Sequence, residues 1–313
     1  MLEGQEGVTW SQWLGMAQAA ERLGFEAIFT SDHYLSVRGD RDRGSSDAWT
    51  MLAALAARTS TIRLGTLVSP VTFREPAVLA KAATTVDQIS GGRVELGMGA
   101  GWWEEEHRTH GFAFPPVHER FDRLEEQLAI VRGLLSQERF SFRGRHHVLD
   151  EAPFWPKPVQ RPRMPIVLGG TTVGPRMQRL VATYADEFNT VGGTPEEVRG
   201  RIARARSGLQ REGREQTSLT TSFMTWCFVG RTQDEWRDRV ERARRDDPRA
   251  GPFDAYLADL EVDCILGTPD RAAARLQEYA DAGVERVMLN HELFDDTEML
   301  EILAGEVFPR LQA

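Results

Sequence analysis

Apolar residues recur at helical spacing over 10–23, behind a Thr9 whose hydroxyl caps the first turn while Gln12 closes a capping box; Gly24 stops the run. The stretch FEAIFTSDHY comes next. Its short β-forming run surfaces into the polar cluster Ser31, Asp32 and His33, as a buried strand does where it ends. The same alternation then repeats. A helix over 47–58 leads to a strand at IRLGTLV, and a helix over 76–89 leads to one at RVELGMGAG. A helix over 119–135 leads to PIVLGG across a punctuated excursion at 140–160. After a helix over 176–184 and the strand EFNTVG, Thr194-Pro195-Glu196-Glu197 supplies a cap, a first-turn proline and a capping-box Glu for a helix reaching about residue 212. The strand SLTTSFMTWCFVG, helix starts at Thr232 and Thr268 around a charged, proline-containing segment, the strand RVMLN and a helix from Thr297 complete the series.

Seven strands are legible, each followed by a helix, with no linker or compositional break between halves. Unbroken alternation demands a parallel sheet, and this length favours a closed barrel over an open doubly wound sheet. One strand is missing, and only Met1-Leu2-Glu3 stands where it should be. The expectation is a single α/β domain over 1–313, a (β/α)8 TIM barrel with insertions and a curtailed first strand.

Composition removes several function classes. The chain is 41% hydrophobic and 27% charged, an ordinary globular balance, and 38 basic against 47 acidic side chains give a net charge of −9. That balance speaks against a nucleic-acid partner, whose binding needs clustered cations. Cys227 and Cys264 are too few for a disulfide framework or a CxxC-type metal site. No run approaches the roughly 20 apolar residues of a membrane span, and the opening residues lack a signal-peptide pattern, so the reading is a cytoplasmic chain with a small-molecule substrate.

In a barrel of this class the chemistry sits just beyond the strand ends. Asp32 and His33 form an adjacent ionisable pair there, read either as acid/base groups or as a turn-capping Asp beside a solvated His. Gly99-Ala100-Gly101 and Gly169-Gly170-Thr171-Thr172 are either amide cradles for phosphate or plain tight turns. Neither is part of a dinucleotide fingerprint, which disfavours a Rossmann domain. Trp102 and Trp103 before Glu104, Glu105, Glu106 and His107 are a stacking and acid/base wall, or a helix start whose acids suit the dipole. The His146-His147 pair has no third ligand nearby, and no metal is assigned.

Taken together, FTSDHY, the run GTLVSPVTFREPAVLAKAATTVDQISGGRVELGMGAGWWEEEHRTHGF, FPPVHERFDRLEEQLAIV, PIVLGG, YADEFN and GTPDRAAARLQEYADAGVERVML resemble the bacterial luciferase-like superfamily, in its branch of coenzyme F420-dependent oxidoreductases. The resemblance implies a barrel that binds the deazaflavin across its strand ends, with hydride transfer at carbon 5 and the phosphate near Gly169, Gly170 and Thr171. It implies that Asp32 is an orienting group and His33 a proton donor. It places a non-proline cis peptide at Leu67-Val68, with Thr66, Leu67 and Val68 forming a bulge behind the ring, and sets Asp32, Gly99, Ala100, Gly101 and Trp102 along the coenzyme. Trp102, Glu106 and His107 fall to the substrate pocket. Sugar-phosphate dehydrogenases of the branch carry Glu where this chain has Trp102, so that substrate does not carry over, and Trp102, Trp103, Phe112 and Phe114 suggest a hydrophobic one. Arg38, Arg41, Arg43 and Arg176 are candidate clamps for anionic groups of the coenzyme, or loop residues paired with Asp40 and Asp42. FMN with monooxygenase chemistry, or coenzyme F420 binding without catalysis, are the alternatives, and pairing into a homodimer is the expected assembly.

Overall fold

Strand–helix–strand connections force neighbouring strands to run the same way, and in the computed structural model every pairing around the main sheet is parallel. The structure describes residues 1–38 and 40–311. In chain order the strands are β1 (Ala27–Thr30), β2 (Arg63–Thr66), β3 (Ser69–Pro70), β4 (Val94–Gly99), β5 (Arg139–Arg143), β6 (Val148–Pro153), β7 (Ile166–Gly169), β8 (Glu187–Val191), β9 (Thr220–Val229), β10 (Ile265–Gly267) and β11 (Arg286–Asn290). The sheet runs β1-β2-β4-β7-β8-β9, and β11 pairs with β9.

Met1 and Leu2 close the ring. Leu2 forms a parallel bridge with Thr30, its N–H donating to Phe29 O at 3.0 Å, while His291 N–H donates to Met1 O at 3.0 Å, so the stub joins β1 to the end of β11. The curtailed first strand is therefore a single bridge. Beside it lies a cavity of about 110 Å³, lined among others by Leu2, Phe25, Ala27, Cys227, Val287 and Phe308.

The helices are α1 (Trp10–Arg22), α2 (Ala48–Ala56), α3 (Pro76–Ser90), α4 (Glu104–His110), α5 (Val117–Ser136), α6 (Pro175–Tyr184), α7 (Pro195–Ser207), α8 (Gln233–Asp246), α9 (Phe253–Glu261), α10 (Pro269–Asp281) and α11 (Thr297–Ile302). Both predicted capping boxes form, at Thr9 with Gln12 and at Thr194 with Glu197. α7 leaves α-geometry after Ser207 and continues as a 3₁₀ turn over Leu209–Glu212, to the expected end; Gly208 between them passes so close to α6 that a Cβ there would lie 2.6 Å from Gln178 O. The expected strand over 62–68 ends as β2 at Thr66, and β3 follows beyond the Leu67–Val68 bulge. The excursion is an antiparallel hairpin, β5 with β6, and the charged segment after α8 holds α9 and β10.

Helices cover the outside through apolar side chains such as Leu52, Leu79, Leu128 and Leu180, all 1% exposed or less. Inside, at the strand beginnings, Arg286 on β11 donates to Glu95 on β4 at 2.7 Å and Glu187 on β8 at 2.9 Å. These strands are not neighbours, so the contacts cross the barrel interior. Among the described residues no helix is long and apolar enough to cross a membrane, and no group of three or more His, Cys, Asp or Glu side chains is placed to hold a metal ion.

Candidate active site

Asp32 lies two residues past β1 with 2% of its surface exposed, and it accepts from Ser69 Oγ and Arg74 Nη1, each at 2.6 Å. Burial pushes its carboxyl above the ordinary value, against Arg74 and Ser69, which pull it down. Arg74 reaches on to the Tyr34 hydroxyl at 3.0 Å and to Asp47 at 2.5 Å, and the other Asp47 oxygen caps α2 by accepting from Thr50 N at 2.8 Å. This network ties the loop after β1 to the one after β3.

His33 turns the other way. Its Nδ1 lies 2.9 Å from Glu106 Oε2, and its ring meets Trp102 and Trp103 edge-on at centroid distances of 5.8 and 5.9 Å. Glu106 is 1% exposed, and its second oxygen accepts from Tyr34 N at 2.5 Å and Leu35 N at 3.2 Å. Burial drags the His33 pKa down, but the hydrogen bond and charge of Glu106 outweigh it and leave it raised. With Nδ1 fixed on a carboxylate, Nε2 is the nitrogen left to exchange a proton.

The Leu67–Val68 peptide is cis, at the position the resemblance places it. The glycines around it make room for Val68. A Cβ on Gly99 would lie 2.6 Å from Val68 Cγ2, one on Gly169 would lie 3.3 Å from its Cγ1, and one on Gly97 would collide with the Thr66 carbonyl. Leu67 and Val68 are partly exposed, as are Ala100, Gly101, Gly169 and Gly170, while Thr171 is open. These segments lie at the ends of neighbouring strands and present one accessible ledge.

Several expected site residues lie elsewhere. Thr66 is fully buried, its hydroxyl donating to Gly97 O at 3.1 Å, and Gly99 is buried beneath Val68, so neither offers a coenzyme surface. Asp32 is spent on Arg74 and Ser69, and the group that fixes His33 is Glu106. Glu106 and His107 do not line an open pocket. His107 is 1% exposed, with Nδ1 2.7 Å from Trp103 O and Nε2 2.6 Å from Thr72 Oγ1. Because Nδ1 must donate to the carbonyl, Nε2 accepts, and burial lowers its pKa, keeping the ring neutral. Gly170 N–H is committed to Asn189 O at 3.0 Å.

The arginines are committed too. Arg38 pairs with Glu292, Arg41 with Glu105, and Arg43 with Glu6 at 3.1 Å. Arg176 sits on Asp122 at 2.7 Å and Glu125 at 3.0 Å. Of the two readings, ion pairing is the one the structure shows, and Arg43 also meets Asp40 at 3.7 Å as the loop reading expected. Phe112 and Phe114 pack against Phe73 and His107 rather than beside His33. Arg74 and Ser69, which hold Asp32, carry no signal of that role in the sequence beyond lying in the run GTLVSPVTFR that follows a strand.

Comparison with known proteins bears on this geometry. A family described as luciferase-like monooxygenase matches residues 2–286. A relative from Nakamurella multipartita, named F420-dependent glucose-6-phosphate dehydrogenase, is 31% identical over 97% of this chain and 93% of its own length. Another from Mycobacterium tuberculosis, named F420-dependent hydroxymycolic acid dehydrogenase, is 30% identical over 95% of this chain and 83% of its own. The crystal structure of a monooxygenase from Streptomyces bottropensis superposes with a TM-score of 0.83 over 98% of this chain and 95% of that one, at 24% identity.

Proposed function

This chain belongs to the luciferase-like monooxygenase family, and within it we propose an F420-dependent oxidoreductase that moves a hydride between the deazaflavin and an organic substrate. The observation that carries the reading is the ledge at the strand ends: Val68, seated between Gly99 and Gly169, with His33 at the same mouth. Relatives named as F420-dependent over nearly the whole chain support the same choice.

The residues present fit such a coenzyme. Val68 and Leu67 would support the ring, with Ala100, Gly101 and Trp102 at its edge. Gly169 and Thr171 lead into α6, whose N-cap, Gly174, makes no side-chain cap, so first-turn amides are available to a phosphate. Asp32 stands behind the ledge and fixes it through Ser69 and Arg74. Bound F420 supplies two-electron hydride chemistry. The protein supplies the proton: His33 Nε2 donates in the direction of reduction, and Glu106 stabilises the imidazolium through Nδ1. Trp102 and Trp103, stacked on each other and edge-on to His33, would form one wall beside the bound coenzyme.

Titrating the purified protein with F420 and separately with FMN, by quenching of coenzyme fluorescence, tests the reading. Tighter binding of F420 is expected. Preference for FMN, or binding of neither, overturns it.

A further inference from the structure

Trp102 is 65% exposed at the mouth of the barrel, an unusual position for so large an apolar side chain. It is not loosely held. Its indole stacks on Trp103 at 5.7 Å and 14°, and the His33 ring braces both edge-on. One indole face is therefore covered by Trp103 while much of the side chain stays open beside the proton-bearing imidazole.

The charges around this mouth point to an uncharged ligand. Arg38, Arg43 and Arg74, each about one-tenth exposed, are bound to Glu292, Glu6 and Asp32, and Arg41 is bound to Glu105. A phosphate would have to displace a carboxylate to recruit any of them. Glu292 makes this harder, since beyond its ion pair with Arg38 its Oε2 is a buried acceptor without a donor, which an incoming anion cannot satisfy.

We propose that the open face of Trp102 is the substrate platform, and that the substrate is a planar, uncharged aromatic carbonyl compound rather than a sugar phosphate. This rests on the F420-dependent reading and narrows it. The flat apolar part stacks on the indole, as aromatic pairs do, and the carbonyl oxygen accepts from His33 Nε2–H. Trp102 sets specificity and His33 orients the reactive group.

The test is direct binding of 2-acetylnaphthalene to the full chain by equilibrium dialysis, with and without F420, in wild type, Trp102→Ala and Trp102→Phe. Because Trp102 is exposed, both variants are expected to fold, and circular dichroism checks this. The expected result is a Kd raised about tenfold in Trp102→Ala and largely restored in Trp102→Phe, with no displacement by glucose 6-phosphate. Binding that is absent, or unchanged by Trp102→Ala, overturns the proposal, as does displacement by glucose 6-phosphate. F420 titration of the same samples separates the two readings: F420 binding without Trp102-dependent probe binding removes the platform alone, and Trp102-dependent probe binding without F420 binding removes the coenzyme assignment alone.

Discussion

His33 and Glu106 are 73 positions apart in the chain and 2.9 Å apart in the fold. That separation explains what the sequence revealed of the site. His33 was legible because it follows a short buried strand directly, and in a parallel barrel that address is chemical. Its partner was named only as a pocket residue implied by the resemblance: EEE at a helix start does not say which acid turns inward, and the rotation of α4 is what buries Glu106 against His33 while Glu104 faces solvent. The pair predicts a pH effect. Because Glu106 raises the His33 pKa, the protonated donor persists above the ordinary value of 6.5, and reductive turnover falls only as pH climbs through the raised value. Glu106→Gln removes the charge that raises it, so the alkaline limb of kcat should move to lower pH while F420 affinity holds. A pH–rate profile of the variant checks this, and an unmoved limb contradicts the assignment of His33.

Elements were read well where local chemistry decides them. The Thr194 and Thr9 capping boxes and Gly24 mark real ends because hydroxyl, amide and positive-φ preferences act within one turn. Reading failed where a neighbour decides. α7 gives way to a 3₁₀ turn after Ser207, where Gly208 lies against α6, and the run over 62–68 breaks at Leu67–Val68, where Val68 is received by glycines on β4 and β7. α9 and β10 were hidden by charge, since only Leu257 of α9 is buried and β10 is three residues long. At this scale Thr194→Ala should destabilise the fold by about 1 kcal/mol, the worth of an N-cap, without touching coenzyme binding. Thermal unfolding against wild type measures it, and a loss of F420 affinity would show that α7 does more than pack.

For the molecule as a whole, alternation and length sufficed to anticipate the barrel, including its short first strand, because parallel connections leave few other architectures. The polar interior was not anticipated. Arg286 holds Glu95 and Glu187 from across the ring, and its side chain is only 11% exposed. Removing one member of a buried cluster leaves the others unpaired, so Arg286→Met should cost about 3–5 kcal/mol at neutral pH. Burial already raises the Glu187 pKa, with Arg286 opposing, so Glu187 should protonate more readily in the variant and the deficit should shrink as pH falls. Denaturant unfolding at two pH values tests both statements.

The central claim is hydride transfer from a deazaflavin with His33 as proton donor. Its most direct test is single-turnover oxidation of reduced F420 by 2-acetylnaphthalene, following the return of the oxidised coenzyme's absorbance and counting the alcohol formed. The account predicts one alcohol per coenzyme oxidised, and a rate lowered about 10²- to 10⁴-fold in His33→Ala with F420 affinity unchanged. Coenzyme oxidised without alcohol formed, or equal rates in the two proteins, would contradict it; a wild type that binds F420 but leaves this ketone unreduced would remove the aromatic substrate alone.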